Sequence, residues 1–156
     1  MSPNSKGVEI LSIGTELLLG NIINTNAQWI SEQLSKLGLN HFRQSTVGDN
    51  CDRIIKVIQE ISKRSNLLIT TGGLGPTPDH LTTEAIAKSI NVSLYERPYL
   101  RDEIKQKLPN SKLKDHSSSL RKQCFFPKNA QIINNPRGTA PGMTVSYTHL
   151  TLPTKA

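Results

Sequence analysis

Aromatic residues make up only 4% of the 156-residue chain, and cysteine occurs just twice. Cys51 and Cys124 match no zinc or redox spacing, so they read as reduced thiols of a cytoplasmic protein. His41, His80, His116 and His149 are scattered, which argues against a histidine-built metal site. No apolar run approaches the roughly 18 residues of a transmembrane helix, and Met1–Gly7 leads into no signal-type hydrophobic segment. A membrane partner is therefore not expected. No internal repeat is visible, and the length suits one domain with a core of its own.

Acidic charge is scarce in one half only. Residues 1–96 carry 8 Lys+Arg and 9 Asp+Glu, whereas residues 97–156 carry 11 and 3, so the net charge of +7 resides in the second half. A basic half attracts nucleic acid or a small polyphosphate, or is simply a solvated face. The basic residues lack interleaved aromatics, which weighs against nucleic acid as a partner.

What the chain does have is glycine in the right places. Leu67-Leu68-Ile69 enters Thr70-Thr71-Gly72-Gly73-Leu74-Gly75-Pro76-Thr77-Pro78-Asp79-His80-Leu81-Thr82, and a helical pattern over Thr83 to Ile90 leaves it. Gly72, Gly73 and Gly75 permit close backbone approach and positive φ, so that successive N–H groups can converge on an anion at the start of a helix. Asp79 there either caps the helix or holds a cation between itself and phosphates.

The rest of the chain supplies a frame for this loop. Val8–Ile13 reads as a strand running into Gly14-Thr15-Glu16, followed by Leu17–Leu19 and Gly20. Ala27, Ile30, Leu34 and Leu37 recur at helical spacing, which predicts a helix over Thr25–Leu37 stopped by Gly38, with Asn24, Thr25 or Asn26 as cap. Leu39–Val47 is expected as a strand anchored by Phe42, Asp52–Ser62 as a helix, and Asn66–Thr71 as the third strand. Strand and helix alternating in this way predict an α/β fold with a mostly parallel sheet. Ligands then bind beyond the carboxyl ends of the strands, which places the loops at Gly14–Glu16 and Gly72–Asp79 on one rim. In the second half Pro98 opens a helix carrying Leu100, Ile104 and Leu108, Leu120–Phe126 is a short helix or turn broken by Pro127, and Gln131–Asn134 is a strand. Asn135-Pro136-Arg137-Gly138-Thr139-Ala140-Pro141-Gly142 forms a third loop, where Arg137 could grip a phosphate, and Met143–Val145 begins another strand. Residues 146–156 fit neither helix nor sheet and read as a non-native tail, leaving residues 1–145 as the domain.

Taken together, Ile13–Gly20 with Asn24–Ala27, Val47–Asn50, Thr71–Thr77 with Asp79, Arg121–Gln123 and Asn135–Gly142 resemble, in order, the motifs of the CinA family (competence- and damage-inducible protein A). The resemblance implies that family's amino-terminal domain, similar to the molybdopterin-binding MoaB/MogA type, with a three-layer α/β/α fold cut short at its carboxyl end. It also implies metal-dependent hydrolysis of ADP-ribose at its pyrophosphate. Nothing in the chain resembles the family's separate deamidase domain. His80 stands where the family usually carries a second Asp, and Arg137 where it often carries an apolar residue.

The site implied by the resemblance has Asp79 and Glu16 as catalytic carboxylates, with Asp79 on a divalent cation. Oxygen ligands of this kind suit magnesium or manganese. Gly14, Thr15, Thr71, Gly72, Gly73, Gly75, Thr77, Gly138, Thr139 and Gly142 would contact the ligand. The expected partner is a small phosphorylated molecule, ADP-ribose or a pterin phosphate, bound by a homo-oligomer. The alternatives are a module that binds molybdopterin or nucleotide without cleaving it, and an assembly domain whose basic half meets a partner.

Overall fold

The computed structural model describes residues 7–78, 81–108 and 117–146. Asp79 and His80, and all but the first residue of the expected tail, lie outside the described residues.

Three parallel strands, β1 (Val8–Ile13), β2 (His41–Val47) and β3 (Leu67–Thr71), form the central sheet in the order β2-β1-β3. All six residues of β1 are buried, as a central strand covered on both faces requires. Their alternation sorts the core into two layers. Val8 and Ile10 pack on Ala27 and Leu34 of helix α2 (Thr25–Lys36), since the chain between β1 and it holds only the one-turn helix α1 (Thr15–Leu18). Leu11 and Ile13 point the other way, onto Ile54, Ile58 and Ile61 of α3 (Cys51–Ser62) and Ala85 of α4 (Thr82–Ser89). The sheet thus lies between helices on both faces, the α/β/α arrangement expected.

Local signals explain the helix ends. Asn24 caps α2 by accepting from the Ala27 N–H, and Asn50 caps α3 by accepting from the Arg53 N–H. Gly38 takes φ +68° just past α2, the left-handed stop that glycine favours.

The second half has its own core. Helix α5 (Pro98–Gln106) buries Leu100 and Ile104 against Leu120 of α6 (Ser117–Lys122), Cys124 and Phe126. Its strands pair antiparallel as two ribbons: β4 (Leu94–Glu96) with β5 (Phe125–Pro127), and β6 (Gln131–Ile133) with β7 (Gly142–Thr144). Pro127 therefore ends a strand opposite Leu94 rather than breaking a helix. Phe42, the expected anchor of β2, is 67% exposed, because β2 is an outer strand of the sheet and its apolar contact with the core is made by Val47. Among the described residues no helix is long and apolar enough to cross a membrane. Cys51 and Cys124 are free thiols, and burial pushes both upward in pKa, so they stay protonated.

Candidate functional site

Because the three strands are parallel, their carboxyl ends open onto one rim, and the loops that follow β1, β2 and β3, at Gly14, Gly48 and Gly72, meet there. The first is Gly14–Glu16 after β1. The Gly14 N–H donates to the carbonyl of Val47 (2.9 Å), which ties it to the end of β2. The next link is reciprocal. The Thr15 N–H donates to the Asp49 carboxylate (2.8 Å), and the Asp49 N–H donates to the Thr15 hydroxyl (3.1 Å). A side chain on Gly48 would press on that hydroxyl. The Glu16 carboxylate folds back over Gly14, at the place a Cβ on Gly14 would need.

The central loop joins from the other side. Gly72 has φ +93°, and a Cβ there would run into the carbonyl oxygen of Ile13, the last residue of β1. Only glycine allows both the conformation and the approach. Gly73, also at positive φ, leaves room for the Thr82 side chain. The Thr82 hydroxyl donates to the Gly72 carbonyl (2.9 Å) and its N–H to the Gly73 carbonyl (3.2 Å), so the first residue of α4 pins the loop from beneath. Leu81 occupies the N-cap position of α4, and its side chain makes no capping bond. Thr71 accepts from the Asn26 amide (3.1 Å), and Asn24 donates to the Ser12 hydroxyl (2.7 Å), so the start of α2 is fastened to the ends of β3 and β1.

Gly14, Thr15, Glu16, Thr71, Gly72 and Gly73 are therefore brought together around the end of β1. The loop Asn135–Gly142 is placed differently. Asn135 accepts from the Arg137 and Gly138 N–H groups and donates to the Ala140 carbonyl, which closes the loop on itself. Gly142 begins β7 against Ile133, and Thr139 is half-buried beside it in sequence. What this loop brings to the central loop is Pro141, across a cavity of about 360 Å³ whose walls include Gly73, Leu74, Gly75, Phe125 and Phe126. Arg137 is exposed.

On the far side of the central loop, α6 reaches over. The Lys122 ammonium donates to the carbonyls of Thr77 (2.9 Å) and Pro78 (3.1 Å), and the Gln123 amide to that of Leu74 (3.4 Å). Neither contact follows from sequence spacing, because each spans more than 40 residues. The pairing of Asp49 with Thr15 was equally invisible, although Val47–Asn50 and Arg121–Gln123 both belong to the motif pattern.

Among the described residues no cluster of three or more His, Cys, Asp or Glu forms. Among the described residues the acidic groups at the rim are Glu16 and Asp49, both offering hard oxygen. Such a set suits a magnesium- or manganese-type ion held partly by one or two carboxylates and partly by substrate phosphates, and does not suit a closed protein cage.

Comparison with known proteins shows the family and the fold. The family described as "Probable molybdopterin binding domain" matches residues 9–155. A CinA-like protein of Prochlorococcus marinus (strain AS9601) is 87% identical over 157 residues, covering 98% of this chain and 37% of that protein. A CinA-like protein of Synechococcus sp. (strain CC9311) is 57% identical over 137 residues, covering 88% and 32%. The chain thus spans about a third of the length of these curated relatives. Among solved structures, the protein CinA of Thermoplasma acidophilum superposes with a TM-score of 0.81 at 34% identity, over 90% of this chain and 81% of that one. The molybdopterin biosynthesis enzyme MoaB of Thermus thermophilus superposes with a TM-score of 0.51 at 22% identity, over 77% of each, a likeness of fold alone.

Proposed function

The chain belongs to the CinA family and carries its molybdopterin-binding type of domain, and from that premise we propose that the rim is a metal-dependent site that hydrolyses the phosphoanhydride of ADP-ribose. The observation that carries this reading is the meeting of three loops at the end of β1, with Thr15 and Asp49 locked to each other and Gly72 pressed against Ile13. The backbone of Gly72, Gly73 and Gly75 would hold phosphate oxygens, with Thr71 and Thr77 beside them. Asp79, together with Glu16 or Asp49, would hold the divalent ion. The chemistry such an ion supplies is neutralisation of diphosphate charge and activation of water. In the reaction a water oxygen bonds to one phosphorus and the bridging P–O bond breaks. AMP and ribose 5-phosphate leave, and the water protons pass to solvent through the rim carboxylates.

The test is AMP release from ADP-ribose in the presence of magnesium or manganese, on a sample that melts cooperatively, beside Asp79→Ala. Release that falls by at least about a hundredfold in the variant is expected. Equal release by the two proteins, or none from the folded wild type, would overturn the hydrolase. A second reading, a module that grips a pterin phosphate without cleaving it, is favoured by the family description itself. It predicts affinity for molybdopterin and none for ADP-ribose.

A further inference from the structure

We infer that Lys122 is a positioning residue: it clamps the Thr77–Pro78 end of the central loop, and so couples the second half of the chain to the rim. This rests on the hydrolase reading above for its functional half only.

The central loop is rich in glycine, and two of its residues sit at positive φ. A chain of this kind loses much conformational freedom when it is held in one form, so something must hold it. Thr82 secures only its first part, at Gly72 and Gly73. The later part, Leu74 to Pro78, is held from outside, by Gln123 at Leu74 and by Lys122 at Thr77 and Pro78. Pro78 immediately precedes Asp79.

The chemistry of the contact suits a clamp. An ammonium carries three donors and no acceptor, so one lysine can bind two successive carbonyls and fix the peptide plane between them. Among the described residues Lys122 forms no ion pair, whereas its neighbour Arg121 is taken by Glu96 (3.0 Å). The charge of Lys122 is thus directed at the loop. Gln123 is 6% exposed, and its amide oxygen has no partner among the described residues, so its one bond to Leu74 is what that buried side chain contributes. Both residues ride on a stiff base, since Leu120 and Cys124 on either side of them are packed in the second core.

The experiment compares wild type, Lys122→Met and Lys122→Arg. Met keeps the aliphatic stem and loses the charge, while Arg can again reach two carbonyls. The first readout is hydrogen exchange of the amides of residues 72–75 and 77, which needs no activity. In Lys122→Met exchange of these amides is expected to rise about tenfold or more, with α2 and α3 unchanged, and Lys122→Arg is expected to restore most of the protection. The second is Mn²⁺ binding followed by electron paramagnetic resonance, where a weakening of about tenfold is expected in Lys122→Met, again recovered in Lys122→Arg. Unchanged loop exchange overturns the clamp. A fall in melting temperature with unchanged Mn²⁺ affinity also overturns it, since that is what a purely structural lysine gives. If wild type neither binds Mn²⁺ nor cleaves ADP-ribose, the hydrolase reading falls by itself, and loop exchange alone then decides the clamp. Should Lys122→Met fail to fold, Lys122→Gln is judged by the same two readouts.

Discussion

The two ends of β1 handle a carboxylate in opposite ways. At the amino end Glu9 is 3% exposed, and every lone-pair direction that matters is taken: the Arg64 guanidinium donates to both oxygens (2.7 and 2.9 Å) and the Ser65 hydroxyl adds a third bond. The Arg64 bonds, acting against burial and helped by Ser65, hold the Glu9 carboxyl below its ordinary range. At the carboxyl end the side chain of Glu16 is exposed and Asp49 is half-buried, and the polar partners there are backbone amides and a hydroxyl. One strand therefore carries a closed, fully paired carboxylate at one end and more open carboxylates at the other. The closed end joins β1 to the turn between α3 and β3 and contributes stability. The open end leaves oxygen atoms facing solvent, where a ligand can use them.

The contrast is broken most severely at Gly72. Gly72→Ala forces a Cβ into the carbonyl of Ile13 at φ +93° and should lower stability by about 3 kcal/mol while abolishing ligand binding at the rim. Thermal melting together with AMP release checks both, and a variant that keeps wild-type melting and activity would refute the close approach. Next is the closed end. Glu9→Gln should cost about 2 kcal/mol, somewhat less than for a wholly buried pair because Arg64 remains 37% exposed, and it should leave rim chemistry unaltered. The sign of its pH dependence follows from the lowered pKa. Stability from Glu9 is fully present above about pH 4.3, the ordinary glutamate value, and is lost as pH falls through the lower folded value. Urea melts of wild type and Glu9→Gln between neutral and acid pH should converge below that window, and a constant gap would contradict it.

A smaller and opposite effect is expected at the open end. Thr15→Val removes the hydroxyl that accepts from the Asp49 N–H, so activity should fall about tenfold with a stability change below about 1 kcal/mol. A large loss of stability with unchanged activity would make the Thr15–Asp49 lock a structural device like Glu9. The least change is expected at Phe42→Ser, within about 0.5 kcal/mol, because the ring is exposed on an outer strand.

How far all this could be read from the sequence varies with the range of the interaction. Helix α2, a cap among Asn24, Thr25 and Asn26, the Gly38 stop, and the strand β1 were legible, since periodicity and capping are local signals, and the structure settles the cap on Asn24. The glycines at 72 and 73 were legible as a special loop because positive φ leaves a mark on residue choice. Phe42 misled, because β-propensity does not say whether a strand lies at the centre or the edge of its sheet. The three-residue strand β4 carries too little pattern to be seen, and Pro127 looked like a breaker although it ends a strand. The locks of Asp49 on Thr15 and of Lys122 on Thr77 arise only when distant segments meet, and no spacing rule reaches across 34 or 45 residues. The placement of Asp79, on which the proposed chemistry turns, lies outside the described residues.

The strand order β2-β1-β3 has a consequence for how the protein behaves in company. A sheet of three has one interior strand, and among the described residues β2 and β3 are each paired on one side only. Among the described residues no strand pairs with the outer side of β3 along Leu67–Thr71, and Leu67 is 46% exposed at its start. Any extended strand of matching polarity, including one from a second molecule in a crowded solution, finds a template there. Colloidal behaviour is then a contest between that sticky edge and the mutual repulsion of molecules that each carry a net charge of +7, a contest that added salt tilts toward the edge.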